Sequence, residues 1–166
     1  MTIEIRPATT DDWSAVRAIR LQALAEAPWA FSSTLDRELA FSEATWRLRA
    51  GTNLTYLAWE GGRAVGTATG YVDPEDGRET VHLVAMYVER SVRGTGCSHR
   101  LIDAVVASAV AAGATRVLLD VTDVNVVAAR CYRRYGFAET GRRQSLRRAP
   151  DIGEFQMALD LTGAQS

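Results

Sequence analysis

The chain has 166 residues, of which 47% are apolar and 23% charged, and its formal net charge is −1. This balance is ordinary for a globular protein and gives no electrostatic argument for a nucleic-acid or membrane partner. The length predicts a single domain over residues 1–166. The chain has two cysteines, no signal-peptide pattern and no segment apolar enough to span a membrane, so we expect a cytoplasmic protein.

The first half of the chain predicts a strand, two helices and a β-hairpin. Residue periodicity places these elements at residues 2–6, 13–28, 38–49, 53–59 and 64–72. Ser42 could cap a helix inside the third segment. Gly61 and Gly62 between the last two segments are a hairpin signal.

The second half predicts strands and helices in alternation. Strands are expected at residues 81–88, 116–121, 137–146 and 154–161, with helices from the end of the first strand to about residue 113 and over 125–135. This order fits an α/β domain with a mixed sheet.

The stretch from Val88 to Ile102 reads as a strand end, a glycine-containing loop and the first turns of a helix. Gly94 and Gly96 allow a sharp turn and a close approach of ligand to backbone. Free N–H groups at a helix N-terminus form an anion site suited to phosphate. A Walker loop is excluded because the chain has no lysine, and a dinucleotide fingerprint would need a third glycine where His99 stands. A strand-to-helix turn without a ligand is the alternative.

This loop resembles motif A of the GCN5-related N-acetyltransferase (GNAT) superfamily, Arg/Gln-x-x-Gly-x-Gly/Ala. Arg93 and Gly96 match its first two defined positions, whereas Ser98 departs from the third. A serine keeps its N–H and adds a hydroxyl, but its Cβ could crowd a pyrophosphate.

A second segment resembles motif B of the same superfamily. Asn125 and Ala128 match its Asn-x-x-Ala, and Tyr132 and Gly136-Phe137 follow in order. Each residue alone also fits an amphipathic helix with Asn125 as N-cap, Tyr132 in the core and Gly136 as C-cap. The two motifs in order extend the resemblance from about residue 3 to residue 161. The resemblance implies a mixed, mostly antiparallel sheet flanked by helices, with a splay between the fourth and fifth strands.

The resemblance also implies a function. It predicts an N-acetyltransferase that moves an acetyl group from acetyl-CoA to an amine of a small molecule or peptide, by direct attack through a tetrahedral intermediate. A non-catalytic acyl-CoA-binding domain is the alternative, no metal is expected, and a homodimer stays open. The residues implied in cofactor binding are Met86, Tyr87, Val88, Arg93, Gly94, Thr95, Gly96, Cys97, Ser98, Asn125, Ala128 and Tyr132.

Two proton movements are needed for such a transfer. Tyr132 matches the family's usual general acid, and His82 aligns with the strand glutamate that serves some members as base. Strand alternation puts His82, Val84, Met86 and Val88 on one face unless a bulge intervenes. Glu79 at the strand start could act through water, and Glu38 is a weaker third candidate. A half-buried sheet histidine and a purely structural tyrosine are the alternatives.

The acceptor pocket is expected between residues 29–35, the helix beyond them, and a loop at residues 144–153. A cluster of arginines near the last hairpin could bind an acidic group of the acceptor, the 3′-phosphate of the cofactor or a second subunit, or could be a solvated face. Its members are Arg142, Arg143, Arg147 and Arg148.

Overall fold

The computed structural model describes residues 2–52 and 54–165, and within them the chain forms seven strands and five α-helices. The strands are β1 (Glu4–Pro7), β2 (Leu54–Glu60), β3 (Arg63–Tyr71), β4 (Thr80–Val88), β5 (Arg116–Thr122), β6 (Ala138–Leu146) and β7 (Ala149–Asp160). The helices are α1 (Trp13–Glu26), α2 (Leu35–Leu39), α3 (Glu43–Thr52), α4 (Cys97–Ala111) and α5 (Val126–Tyr135).

The strands form one mixed sheet in the order β1-β2-β3-β4-β5-β7-β6. All neighbours are antiparallel except β4 and β5, which are parallel. The predicted fold class is confirmed, and so is the hairpin, where Gly61 and Gly62 join β2 to β3 with φ of 57° and 78°. Among the described helices, none has the length and apolar character of a membrane span.

Two predicted boundaries are wrong. The helical region expected over residues 38–49 is two helices, because the Ser42 hydroxyl accepts a hydrogen bond from the Thr45 N–H at 3.2 Å and starts α3 anew. The loop expected at residues 144–153 is a hairpin, in which Leu146 pairs with Ala149 and only two residues turn. Asn53, predicted to begin a strand, lies outside the described residues.

Two apolar cores lie on opposite faces of the sheet. The larger contains Leu101, Ile102 and Val105 of α4 and extends to α5. The smaller contains Ile19 of α1 and Trp46 of α3. The C-terminal half of β4 therefore lies between the two helical layers, with Met86 packed against one and Tyr87 against the other. The candidate active site is at this part of the strand.

The sheet opens between β4 and β5. These strands pair over three residues, Thr80–His82 against Arg116–Leu118, and part beyond them. A bulge at Ala85, whose φ is +54°, shifts the register of β4 against β3, so that Thr69 faces Val84 and Thr67 faces Tyr87. The predicted splay between the fourth and fifth strands is confirmed.

Candidate active site

The loop before α4 has the geometry of an anion cradle. Gly94 and Gly96 have φ of +78° and +85°, and a Cβ on either would meet no atom within 4 Å. Gly96 is the N-cap of α4 and has no side chain to accept hydrogen bonds from the first N–H groups of the helix, which can therefore donate to a ligand. Backbone donors and the helix dipole together favour a phosphate group here.

Side-chain contacts fix this loop to the end of β4. Arg93 donates from Nε to the Val88 carbonyl at 3.0 Å and from Nη2 to Glu26 Oε1 at 2.6 Å. Thr95 donates from its hydroxyl to the Val92 carbonyl at 2.5 Å. The Arg93 side chain therefore orders the loop, and the Arg93 N–H also donates within it, to the Arg90 carbonyl at 3.3 Å.

Tyr87 turns its side chain away from the splay. Its ring is buried in the smaller core, and its hydroxyl donates to Glu26 at 2.5 Å. Burial, followed by this bond to a carboxylate, raises the pKa of Tyr87 to about 12. Only the backbone of Tyr87 can then serve a ligand in the splay.

The bulge also changes which side chains share a face of β4. His82 and Val84 line a cavity on one side of the sheet, whereas Met86 and Val88 pack against the larger core on the other. The four residues were expected on one face unless a bulge intervened, and the extra residue at Ala85 is such a bulge, which reverses the alternation after Val84.

Helix α5 holds the motif B residues. Asn125 is its N-cap and accepts a hydrogen bond from the Ala128 N–H at 3.3 Å. Tyr132 is buried and packs edge-on against Phe137, with ring centroids 5.8 Å apart. Burial, with a smaller effect of Cys131, raises the pKa of Tyr132 well above its ordinary value, so the phenol keeps its proton. Asn125 therefore caps α5 and Tyr132 lies in the core, as expected for an amphipathic helix. These structural roles are compatible with an additional role in the reaction.

The start of α4 and helix α5 lie side by side. The Cys131 thiol donates to the Ser98 hydroxyl across a distance of 3.7 Å. The first turn of α4, which follows the glycine loop, is thus adjacent to the helix that carries Tyr132.

A cavity of about 790 Å³ lies beside the bulge. It is bounded by α1, α3, the sheet and residues 30–32, which belong to the segment after α1. Leu83, Val84 and Ala85 of β4 form part of its wall, so it reaches the splay. Its charged and amide side chains are Arg20, Arg49, His82, Asp120, Gln144, Arg147 and Glu154.

The sheet wall of this cavity is acidic. His82 Nε2 lies 2.7 Å from Asp76 Oδ2. Burial raises the pKa of Asp120, although Arg142 and His82 oppose the shift. Burial also raises the pKa of Glu154, with Gln144 opposing and the charge of Asp120 adding to it. Carboxylates that bind protons more readily than usual are suited to hold or accept an amine proton.

Asp120 and Glu154 were not found from the sequence. The signal for Asp120 was present, since it is a carboxylate within an apolar strand between Leu119 and Val121. Glu154 could be placed beside it only through the antiparallel pairing of β5 and β7, in which Asp120 faces Gln156 and Thr122 faces Glu154.

The two alternative bases lie apart from this acidic wall. Glu79 is exposed just before β4, and its carbonyl accepts from the Thr115 N–H at 2.8 Å. Glu38 is fully buried and bound by Arg20 at 2.9 and 3.0 Å and by Arg49 at 3.4 Å. Burial alone would raise the pKa of Glu38, but the two guanidinium groups lower it below its usual value, which makes Glu38 a poor base.

The four arginines near the last hairpin do not act as one patch. Arg143 binds Asp123 at 2.7 Å, and Arg148 donates to the Phe31 carbonyl at 2.7 Å. Arg148 also bonds to the Pro28 carbonyl, and so holds the hairpin turn against the segment after α1. Arg147 lines the cavity.

A mixed sheet that splays beside a glycine loop at a helix N-terminus, with a cavity at the splay, is the architecture of an acyltransferase that uses a CoA thioester. Residues 18–137, more than half of the chain, match the model of the Acetyltransferase (GNAT) family, and the chain belongs to this family. GNAT acetyltransferases use acetyl-CoA as co-substrate.

Solved structures agree with this fold. A GNAT-family acetyltransferase from Streptococcus pneumoniae has a TM-score of 0.83 at 19% identity, covering 96% of this chain and 99% of that one. YncA from Salmonella typhimurium, a putative acetyltransferase solved with acetyl-CoA, has a TM-score of 0.74 at 21% identity, covering 97% and 95%. A ribosomal-protein-alanine N-acetyltransferase from Brucella melitensis has a TM-score of 0.74 at 22% identity, covering 95% and 99%. At these identities the likeness supports the fold alone. A search of curated proteins found no match.

Proposed function

We propose that this acetyltransferase moves the acetyl group of acetyl-CoA to a primary amine of a small molecule or peptide, by direct attack through a tetrahedral intermediate. The observation that carries the proposal is the cavity at the bulge, because one space is lined by Ala85 at the splay and by the proton-binding side chains His82 and Asp120. An amine held there lies beside the opening between β4 and β5.

The described residues fit the cofactor. The open space over Gly94 and Gly96 would admit a pyrophosphate, held by backbone N–H groups of residues 93–98 other than that of Arg93, which donates to the Arg90 carbonyl. The backbone of residues 86–88 lies beyond the last β4–β5 pair and would bond a pantetheine arm, except at the Val88 carbonyl, which accepts from Arg93. The Met86 N–H would be the donor to the thioester carbonyl. Asn125 and Ala128 would border the arm from α5.

The proton balance assigns two roles. The ammonium loses one proton to the base, and the neutral amine then attacks the thioester carbonyl. As the tetrahedral intermediate collapses, the nitrogen loses a second proton, the C–S bond breaks and the leaving sulfur gains one proton, so that the overall reaction releases one proton to solvent. Tyr132 would supply the proton that the sulfur gains, and its burial supports the role because a buried phenol stays protonated.

His82 is the proposed base. With Nε2–H donating to Asp76, the lone pair on Nδ1 remains to accept a proton, and the carboxylate stabilises the imidazolium that forms. Asp120 is the nearest alternative, since its charge interacts with His82 in the same cavity. Glu79 is exposed and would act through water.

The test is thiol release from acetyl-CoA across a panel of primary amines from pH 6 to 9. His82→Ala should reduce turnover at neutral pH about 10²-fold, with partial recovery at high pH where more free amine is present. His99→Ala, which removes the other histidine from its contact with Tyr135, is the control. Activity retained in His82→Ala and lost in Asp120→Asn would move the base to Asp120.

The same panel tests the function itself. Binding of acetyl-CoA without turnover on any amine would favour the non-catalytic acyl-CoA-binding domain. We further expect a cytoplasmic protein, a view supported by the free thiols of Cys97 and Cys131.

A further inference from the structure

The acceptor cavity has walls of opposite charge. Its sheet wall carries His82, Asp120 and Glu154, whereas its helical wall carries Arg20 and Arg49. Arg147, in the turn between β6 and β7, adds a third guanidinium to the lining. The first wall suits an ammonium group, and the second suits an anion.

The helical wall keeps a positive charge after its internal pairing. Arg20 holds both oxygens of Glu38, at 2.9 and 3.0 Å, and Arg49 reaches Oε2 at 3.4 Å. Two guanidinium groups thus share one fully buried carboxylate, which leaves one unneutralised charge among them. Arg49 is the more exposed partner, at 37% against 15% for Arg20, and has further N–H donors for a ligand.

Trp46 belongs to the same wall but presents its ring rather than its N–H. It is 1% exposed, and its indole N–H is buried without a hydrogen-bond partner among the described residues. Arg49 stacks over this indole at 5.5 Å and over the Phe41 ring at 4.6 Å, which positions the guanidinium in the wall. A carboxylate in the cavity would give Arg49 a counter-ion.

We propose that the acceptor is an amine that also carries a carboxylate, which means a free amino acid or a compound of that class. The amine would lie toward His82 and Asp120, and the carboxylate toward Arg49. This inference rests on the proposed acetyltransferase function and narrows it, because an N-terminal residue of a peptide has an amide where a free amino acid has the carboxylate.

The test compares each free amino acid with its primary amide. The probes are L-alanine, L-leucine, L-phenylalanine, L-glutamate and L-arginine, each paired with the amide that removes the α-carboxylate charge. Among these probes, we consider the amino acid whose side chain the cavity accepts best. For that amino acid we expect kcat/KM of the free acid to exceed that of the amide about 10- to 100-fold, because a hydrogen bond to a charged group has an effect of this size. The amine of the amide is less basic, so a larger fraction of it is deprotonated and able to attack at neutral pH. Without a binding site for the carboxylate, the amide would therefore react faster than the free acid.

Replacing Arg49 with glutamine tests whether the helical wall of the cavity binds the carboxylate. It leaves the two bonds between Arg20 and Glu38 in place and should bring the ratio of kcat/KM for the free acid to that for the amide down toward one. Arg37→Gln is the matched control, because Arg37 and Arg49 both stack on Phe41, at 5.6 and 4.6 Å, and Arg37 lies outside the cavity wall. Equal rates for acids and amides, an acid preference that survives Arg49→Gln, or the same loss in Arg37→Gln would overturn the proposal.

A binding measurement separates this proposal from the proposed function. The melting temperature with saturating CoA should rise more with the fitting amino acid than with its amide, whether or not turnover occurs. Turnover of other amines with no acid preference in rate or melting temperature would refute the carboxylate site alone. Absence of turnover on every amine would refute the transferase function instead.

Discussion

Replacing Gly96 with aspartate tests the cofactor cradle, and Gly113 supplies a matched control. Both glycines have a left-handed φ, +85° and +83°, with open space where a Cβ would point, and they lie at opposite ends of α4. Each substitution should therefore carry a similar backbone cost, about 1–2 kcal/mol at most. For a chain of this size, 1 kcal/mol corresponds to about 2–4 °C in Tm.

The helix dipole makes the two variants differ without ligand. A carboxylate at the N-terminus of α4 is favoured by about 0.3–1 kcal/mol and one past its C-terminus is disfavoured by a similar amount. Gly96→Asp should thus melt at a higher temperature than Gly113→Asp in the free protein.

Acetyl-CoA should reverse that order. At 100 times its Kd, a ligand that binds only the folded state adds about 2.7 kcal/mol of stability, which corresponds to about 5–11 °C here. The parent protein and Gly113→Asp should show this shift in a thermal melt titrated with acetyl-CoA. Gly96→Asp should lose it, since its carboxylate occupies the anion cradle. A full shift in Gly96→Asp would remove the cofactor from this loop.

Three further substitutions test neighbouring parts of the site. Ser98→Gly should leave acetyl-CoA affinity unchanged or tighter by calorimetry, because it loses only the 3.7 Å contact with Cys131, and a large loss would make the hydroxyl a ligand contact. Tyr132→Phe should lower kcat about 10²-fold without rescue at high pH and with the acetyl-CoA Kd unchanged, and full activity would end the acid role. Glu38→Gln should destabilise the fold at pH 7 by about 1–3 kcal/mol in denaturant titrations, because it removes the buried carboxylate to which Arg20, 15% exposed, and Arg49, 37% exposed, are bonded. Since the folded-state pKa of Glu38 lies below its usual value of 4.5, the pair stabilises above that pH and the difference from the parent should close as the pH falls further. A pH-independent difference would contradict the ion-pair account.

Local chemistry made much of the fold predictable. The Gly61-Gly62 turn and the loop before α4 each depend on residues adjacent in sequence, and both have the predicted form. The break between α2 and α3 was recognisable as a cap at Ser42, but the periodicity continued across it and hid the boundary.

The acceptor site was less predictable because it is assembled from distant segments. Asp120 and Glu154 meet only through the pairing of β5 with β7. Glu38 illustrates the same limit, since its position in a helix suggested a base, whereas arginines 18 and 11 residues away in sequence hold it in an ion pair.

The bulge at Ala85 separates two functions along one strand. Before it, His82 directs its side chain to the acceptor cavity, and the pairing with β5 still holds. After it, the side chain of Met86 packs into the larger core, so only the backbone of that segment is presented to the splay. Regular alternation would have put Met86 on the cavity face beside His82, where its side chain would compete with the acceptor. In the mechanism that we propose, one inserted residue would therefore let a single strand present His82 to the amine and backbone N–H groups to the thioester.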